Sequence, residues 1–404
     1  MRRWAFALVV ACAGCERPRA EPPPGELQPS PNASILPAPL TSSEPRAREA
    51  PQALRSDEPM PPDTLGAKET SGVSLVMEWK PQELPSPPRA PETHAEGLAT
   101  LRRATALRTT LQLTETGRLR LVFEGRGFPL PAGTELRARG DRLGHALVFP
   151  GATEYRPAAP GTLRSLFGDR RLDALPLVSG QIGPKKELPP RLGRAVSRYS
   201  ITTKLGALTL DVARAPELGQ GGVMLCRLLV ELVGVDPSTL ACEADQLPIR
   251  AHLAFPTGGI VLDLSDLPAK RVELPLADLS APPPGATLAA ATTPTGPAVV
   301  ASREELALLR TRELDTTPAP GAPPDGLLVR SGVDSLRAVM LDGALVAWLD
   351  AGESVTLAGL RRGRYTASSR TLLGDAADAP RAVEAPGRFT LGEPPAPAPA
   401  RSAK

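Results

Sequence analysis

Hydrophobic and polar positions alternate with a period of two through much of the stretch from residue 73 to residue 276, and that period predicts strands. Residues 73–79 (VSLVMEW) give a first strand, followed by a Pro-rich loop over 81–91. Leu107, Thr109, Leu111 and Leu113 then alternate with Arg108, Thr110, Gln112 and Thr114, and the alternation resumes at Leu119, Leu121 and Phe123 after Glu115-Thr116-Gly117. This is a hairpin with one buried face, in which Gly117 supplies the positive φ that a short connection requires. Tyr199 and Ile201 lead in the same way through Lys204-Leu205-Gly206 to Leu208, Leu210 and Val212. Ile249, Ala251, Leu253 and Phe255 lead through Thr257-Gly258-Gly259 to Ile260, Leu262 and Leu264. Shorter strands are predicted over 134–138, 145–149 and 153–156.

One segment departs from the period of two. Residues 222–234 (GVMLCRLLVELVG) place Leu225, Leu228, Leu229 and Leu232 on one helical stripe, and Gly234 is suited to end that helix. Ser302-Arg303-Glu304-Glu305 has the form of a capping box ahead of Leu306, Leu308 and Leu309, predicting a short helix over 303–312 inside a linker over 279–325. Beyond it, 338–341 and 344–349 flank Asp342-Gly343, a type I′ hairpin signal, and further short strands follow. The resulting expectation is a mainly β protein. An antiparallel sandwich or partly open barrel with one short helix would occupy 72–278, a second small β-sandwich-like domain 326–392, and a disordered tail 393–404.

Composition changes the picture at the N-terminus. The 404 residues include 48 Pro and 36 Gly with 3% aromatics, and residues 16–71 are Pro-rich, polar and without hydrophobic period. Such a stretch is expected to form a long disordered, polyproline-like tether. Residues 1–15 comprise a basic start, Met1-Arg2-Arg3-Trp4, a short apolar run, and Ala11-Cys12-Ala13-Gly14-Cys15. This arrangement resembles a bacterial lipoprotein signal, whose lipobox places small residues before a Cys that receives lipid. Cys15 is the best match and Cys12 an overlapping alternative; Cys12 stands where the pattern prefers Leu. The resemblance implies export and a lipid anchor that holds the protein to a membrane without a spanning helix. Glu16, which is not the Asp that retains some lipoproteins at the inner membrane, favours the outer membrane.

With two cysteines assigned to the signal, Cys226 and Cys242 remain, and an oxidising compartment favours their pairing as a structural disulfide. A redox pair or metal thiolates would call for CxxC spacing or neighbouring His. Residues 327–391 also resemble the PEGA-type β domain of bacterial envelope proteins, through Val339-Met340-Leu341-Asp342-Gly343, Gly359-Leu360 and Gly363-Arg364-Tyr365, although the motif that names that family is missing. The resemblance implies an extracytoplasmic, non-enzymatic role.

Charge and chemistry add little. The 47 Lys and Arg against 44 Asp and Glu are interspersed, so no basic field points to nucleic acid. His94, His145 and His252 lack partners at i+3 or i+4 and read as exposed or structural, so no metal and no cofactor is expected. No G-x-S-x-G elbow appears, and Ser200 falls mid-strand. Gly219, Gly221 and Gly222 precede a helix and read as a flexible helix start, with an anion-binding turn as the alternative. Asp263 and Asp266 lack the alternating oxygens of a calcium loop. Lys185, Lys186, Arg191, Arg194 and Arg198 form a basic stretch, either a solvated rim or a contact for anionic lipid or polysaccharide.

Three functional classes follow. The first is a non-catalytic binding or structural component of the envelope, whose partner is an envelope protein, polysaccharide or lipid. The second is a carrier of lipid or another apolar ligand in a half-barrel cleft lined by residues such as Leu225, Leu229 and Phe255. The third is an envelope hydrolase without a recognisable motif.

Overall fold

The structure, a computed structural model, describes residues 52, 53, 55, 58–61, 63, 66–82, 92–169, 173–237, 243–267, 271–289, 300–309 and 323–393. The readings for the signal, for Cys12 and Cys15, for most of the tether, for Cys242 and for the tail lie outside these residues.

The chain is mainly β, and its alternating segments form one sheet of fourteen strands. In chain order the principal members are β1 (Glu69–Pro81), β2 (Leu107–Thr114), β3 (Arg118–Glu124), β4 (Glu135–Arg139), β5 (His145–Val148) and β6 (Glu154–Ala158). They continue with β7 (Lys186–Arg191), β8 (Arg194–Thr202), β9 (Ala207–Arg214), β10 (Gln246–Phe255), β11 (Gly258–Leu264) and β12 (Val272–Pro275). In space they run β7-β8-β9-β10-β11-β1-β2-β3-β4-β5-β6, with β12 beside the first half of β1. The hairpin registers follow the sequence pattern. Leu111 faces Leu121 and Leu113 faces Leu119, while Leu208 faces Leu253 on the other flank, so each alternation delivers its apolar row to one face.

Three helices lie among these strands: α1 (Glu92–Ala104), α2 (Thr162–Asp169) and α3 (Gln220–Leu232). The expected single helix is α3, which begins two residues earlier and ends two earlier than 222–234. It touches β10 on one side and β2 and β3 on the other. Those strands are separated in the sheet by β11 and β1, so the sheet curves around the helix and eleven of its thirteen residues are buried. A helix enclosed in this way is apolar nearly all round. The glycines at its start serve close packing rather than flexibility. A Cβ on Gly222 would lie 1.8 Å from the Gln246 carbonyl oxygen, and one on Gly221 would lie 2.7 Å from that of Thr114.

After α4 (Arg303–Ala307) the chain builds two smaller sheets from β13 (Leu327–Ser331), β14 (Arg337–Leu341), β15 (Ala344–Leu349), β16 (Ser354–Leu357), β17 (Gly363–Arg370), β18 (Arg381–Ala385) and β19 (Gly387–Leu391). Their orders are β16-β13-β19 and β15-β14-β17-β18. The capping box is present as read, with Ser302 accepting from the Glu305 amide and Glu305 accepting from the Ser302 amide. Helix α4 ends at Ala307, short of the expected 312. Asp342 and Gly343 have φ of +49° and +81°, the paired positive values of a type I′ turn.

The two β regions share side chains instead of standing apart. Ala338, Met340, Leu345 and Trp348 enter the core of the large sheet, whereas Val339, Leu341, Val346 and Leu349 enter the core of the smaller region. Helix α1 belongs by sequence to the first region, yet its Leu98 and Leu101 pack in the second core. The tether reading also changes at its end. Met60 is buried against Val148 and Tyr155, and its amide donates to the Tyr155 hydroxyl at 3.2 Å. The Asp63 carboxylate lies 2.7 Å from Arg118 and 2.6 Å from Arg139. Met60 and Asp63 therefore contact side chains of β3 to β6, isolated contacts that a search for hydrophobic period does not register. The linker reading likewise gives way at 279–289, where Leu279 and Ala281 are buried and Thr287–Leu288 pairs with β6.

Candidate functional site

The candidate chemistry read from the sequence resolves into structural contacts. His94 on α1 is buried, with Nε2 2.9 Å from the Asp342 carboxylate. His145 on β5 is buried, with Nε2 2.7 Å from Glu231 of α3. Neither histidine is exposed, and each carboxylate also accepts a backbone N–H, from Thr366 and from Gly161 respectively. Each pair thus fastens one element to another; a single sequence gives no sign of partners 248 and 86 positions away. His252 sits mid-strand on β10 opposite Thr209 and Val261, and Ser200 faces Thr209 across β8 and β9.

Four of the five cations in the basic stretch form ion pairs, and Lys186 is exposed on β7. Lys185 meets Glu187, Arg191 meets Asp263, Arg194 meets Glu217, and Arg198 meets Asp211. Asp263 is occupied by Arg191, and the Asp266 carboxylate accepts from the Leu267 amide. Among the described residues no group of His, Cys, Asp and Glu has the spacing to hold a metal ion. Cys226 is buried and disulfide-bonded. Leu225 and Leu229 are packed in the core and Phe255 lies against it, so the half-barrel expected to be hollow is filled by α3.

A cavity of about 560 Å³ lies instead between the two β regions. Ligand pockets are commonly of this size, with apolar walls and few polar groups. Its apolar wall comes from Trp79 at the end of β1, Leu107 at the start of β2, Met340, Leu345 and Trp348 from β14 and β15, and Leu372. These side chains share a wall because the register of the smaller sheet sets them in rows. Trp348 and Arg370 both face Ala338, and Leu345 faces Met340. Trp348 is fixed by its indole N–H, which donates to the Gly127 carbonyl at 3.2 Å. Trp79 is held by a bond from its indole to Thr109 and by edge contacts with Phe128 and Phe167.

The polar lining is lopsided. Lys80, Arg102, Arg103, Arg108 and Arg370 face a single carboxylate, Glu78, among the described residues that line the cavity. Glu78 is shared by Lys80 at 2.9 Å and Arg108 at 3.5 Å, and their hydrogen bonds and charges hold its carboxyl below the usual range despite burial. Arg370 differs from the others in being 4% exposed. Its Nη1 donates to the Gly374 carbonyl at 2.8 Å, and its Nε–H has no acceptor among the described residues. Burial lowers its guanidinium from the usual value, with Asp375 acting in the opposite sense, but an Arg stays protonated in proteins.

The arrangement combines three features. It offers an apolar slot large enough for a small ligand, a cationic border, and two indoles at the wall. The signal for it lay in the sequence in one form: 338–341 and 344–349 are continuous apolar runs, the pattern of strands covered on both faces. No protein-family model matches the chain, and no curated protein matches its sequence.

Proposed function

We propose that this is a non-catalytic binding component of the bacterial cell envelope, held to a membrane by lipid on Cys15 and receiving an apolar ligand in the cleft between its two β regions. The observation that carries the reading is the cleft itself, about 560 Å³ with Trp79 and Trp348 in its wall. The carrier function thereby moves from the interior of the large sheet to its junction with the smaller one. The burial of both carboxylate-paired histidines favours binding over hydrolysis.

The tryptophans supply the test. The chain has three, and Trp4 lies in the segment that lipoprotein processing would remove. In the mature chain carrying Cys15→Ser, tryptophan emission therefore reports on the cleft alone. Titration with dodecanol, an apolar chain of modest size, is expected to shift and quench this emission with saturation. Unchanged emission across the accessible range of dodecanol would refute the site. Metabolic labelling with palmitate tests the anchor separately, since label should enter the native chain and be lost from the Cys15→Ser variant.

A further inference from the structure

The cleft contains one group whose placement is unexplained by folding alone. A buried guanidinium ordinarily has its N–H groups satisfied, because an unpaired charged donor out of water is costly. Arg370 has one such bond, to Gly374, from Nη1. The opposite edge of a guanidinium, Nε with Nη2, is the one that grips a carboxylate by two parallel bonds. In Arg370 the buried Nε of that edge carries no acceptor among the described residues, and the side chain lines the cleft. Glu78, the one carboxylate among the described lining residues, is already engaged by Lys80 and Arg108, and Asp375, whose charge acts on Arg370, accepts from the Thr257 hydroxyl.

We infer that the ligand is a fatty acid, with its carboxylate on the Nε edge of Arg370 and its chain along Trp79, Met340, Leu345 and Trp348. The inference rests on the binding function proposed above and adds the chemistry of the head group. A flexible alkyl chain suits a wall in which an adaptable Met stands between two rigid indoles. A peptide would need a free strand edge to pair with, and the edge at β15 is partly taken, since the Val346 carbonyl already accepts from the amides of Val300 and Ala301. The excess of cations over carboxylates around the cleft draws an anion toward it and leaves a neutral chain without that attraction.

The experiment compares two ligands with the same chain on the mature Cys15→Ser protein, dodecanoate and dodecanol, by tryptophan emission and by calorimetric titration below the micellar range. A charged hydrogen-bonded pair in a buried site supports a preference for dodecanoate of about tenfold or more in Kd. Arg370→Lys retains the charge but not the two-bond edge, so the ratio of the two Kd values, read within the one variant, should fall toward one. Equal affinities for the two ligands in the native sequence would overturn the fatty-acid assignment and leave the apolar cleft standing; that comparison needs no variant to fold. A preference that survives Arg370→Lys would remove Arg370 from the head-group role. Failure of both ligands to bind would overturn the cleft function as well.

Discussion

Asp342 occupies a position where several demands meet. Its φ of +49° is uncommon for a residue with a Cβ, and Asp is among the few that adopt it readily. Its carboxylate accepts the Thr366 amide at 2.7 Å and lies 2.9 Å from the His94 imidazole, both within the smaller core. Removing the carboxylate leaves a half-buried amide and a buried imidazole without their partner. Asp342→Ala is therefore expected to cost about 3 kcal/mol, and Asp342→Asn less, because Asn keeps an acceptor and tolerates the backbone. Urea denaturation of the two variants checks the order; equal midpoints would show that the carboxylate is not a structural clasp. Nearby, Tyr365 is buried, and its hydroxyl donates to the Arg361 carbonyl at 2.8 Å. Burial first, and then the charge of Asp342, push this phenol well above its ordinary value. Folding thus favours the protonated form. That contribution is complete below the ordinary tyrosine value of about 10 and is lost as pH rises toward the raised folded value. Phenolate absorbance of the native protein minus that of Tyr365→Phe should show no Tyr365 ionisation where a free tyrosine is already ionised, until alkaline unfolding releases it.

Among the elements, α3 tests whether packing or propensity governs. Alanine is favoured over glycine within a helix by about 1 kcal/mol, so Gly222→Ala would stabilise an isolated helix. In the protein the added methyl meets the Gln246 carbonyl of β10 at 1.8 Å, which the backbone must move to relieve. Overpacking of this kind costs about 1–3 kcal/mol and outweighs the propensity gain. The variant should have a lower denaturation midpoint than the native protein, and a higher one would refute the close approach. This helix also marks the reach of sequence reading. The stripe of Leu225, Leu228, Leu229 and Leu232 announced a helix, and the alternation of Leu111, Leu113, Leu119 and Leu121 announced a hairpin, because burial on one face imposes a period that survives without knowledge of the fold. The role of the glycines did not show, since close approach depends on a strand that follows more than twenty residues later. Helix α1 was missed for a related reason. Its buried residues are few, His94, Gly97, Leu98 and Leu101, and they face a core built by residues beyond 300. The cleft was legible only as the apolar runs of β14 and β15, which were read as a hairpin of a separate domain.

At the scale of the molecule those runs carry the larger consequence. All described residues fall within one unit, residues 50–404, and the sheet containing β14 and β15 contributes one face to each of two cores. A small β module appended by a linker would melt independently; a sheet shared between two cores cannot leave one without exposing the other. Trp348 is the residue through which this coupling is best probed. It is 2% exposed, contributes to the core of the large sheet, and bonds to Gly127 in the loop after β3. Replacing a buried Trp with Ala typically costs about 3–5 kcal/mol through lost burial and the cavity left behind. If the regions fold as one, Trp348→Ala lowers a single transition, and the midpoints from far-ultraviolet circular dichroism and from Trp79 emission move together. If they are separate, Trp79, which lies in the large sheet, keeps its native midpoint while part of the dichroism signal is lost early. The first outcome also bears on binding, because a cleft walled by both regions holds its shape only while they stay docked. Ligand occupancy should then raise that single midpoint in proportion to the logarithm of free ligand over Kd. A Trp348→Ala protein that unfolds in two steps and still binds dodecanol as tightly as the native chain would separate the cleft from the junction of the two regions.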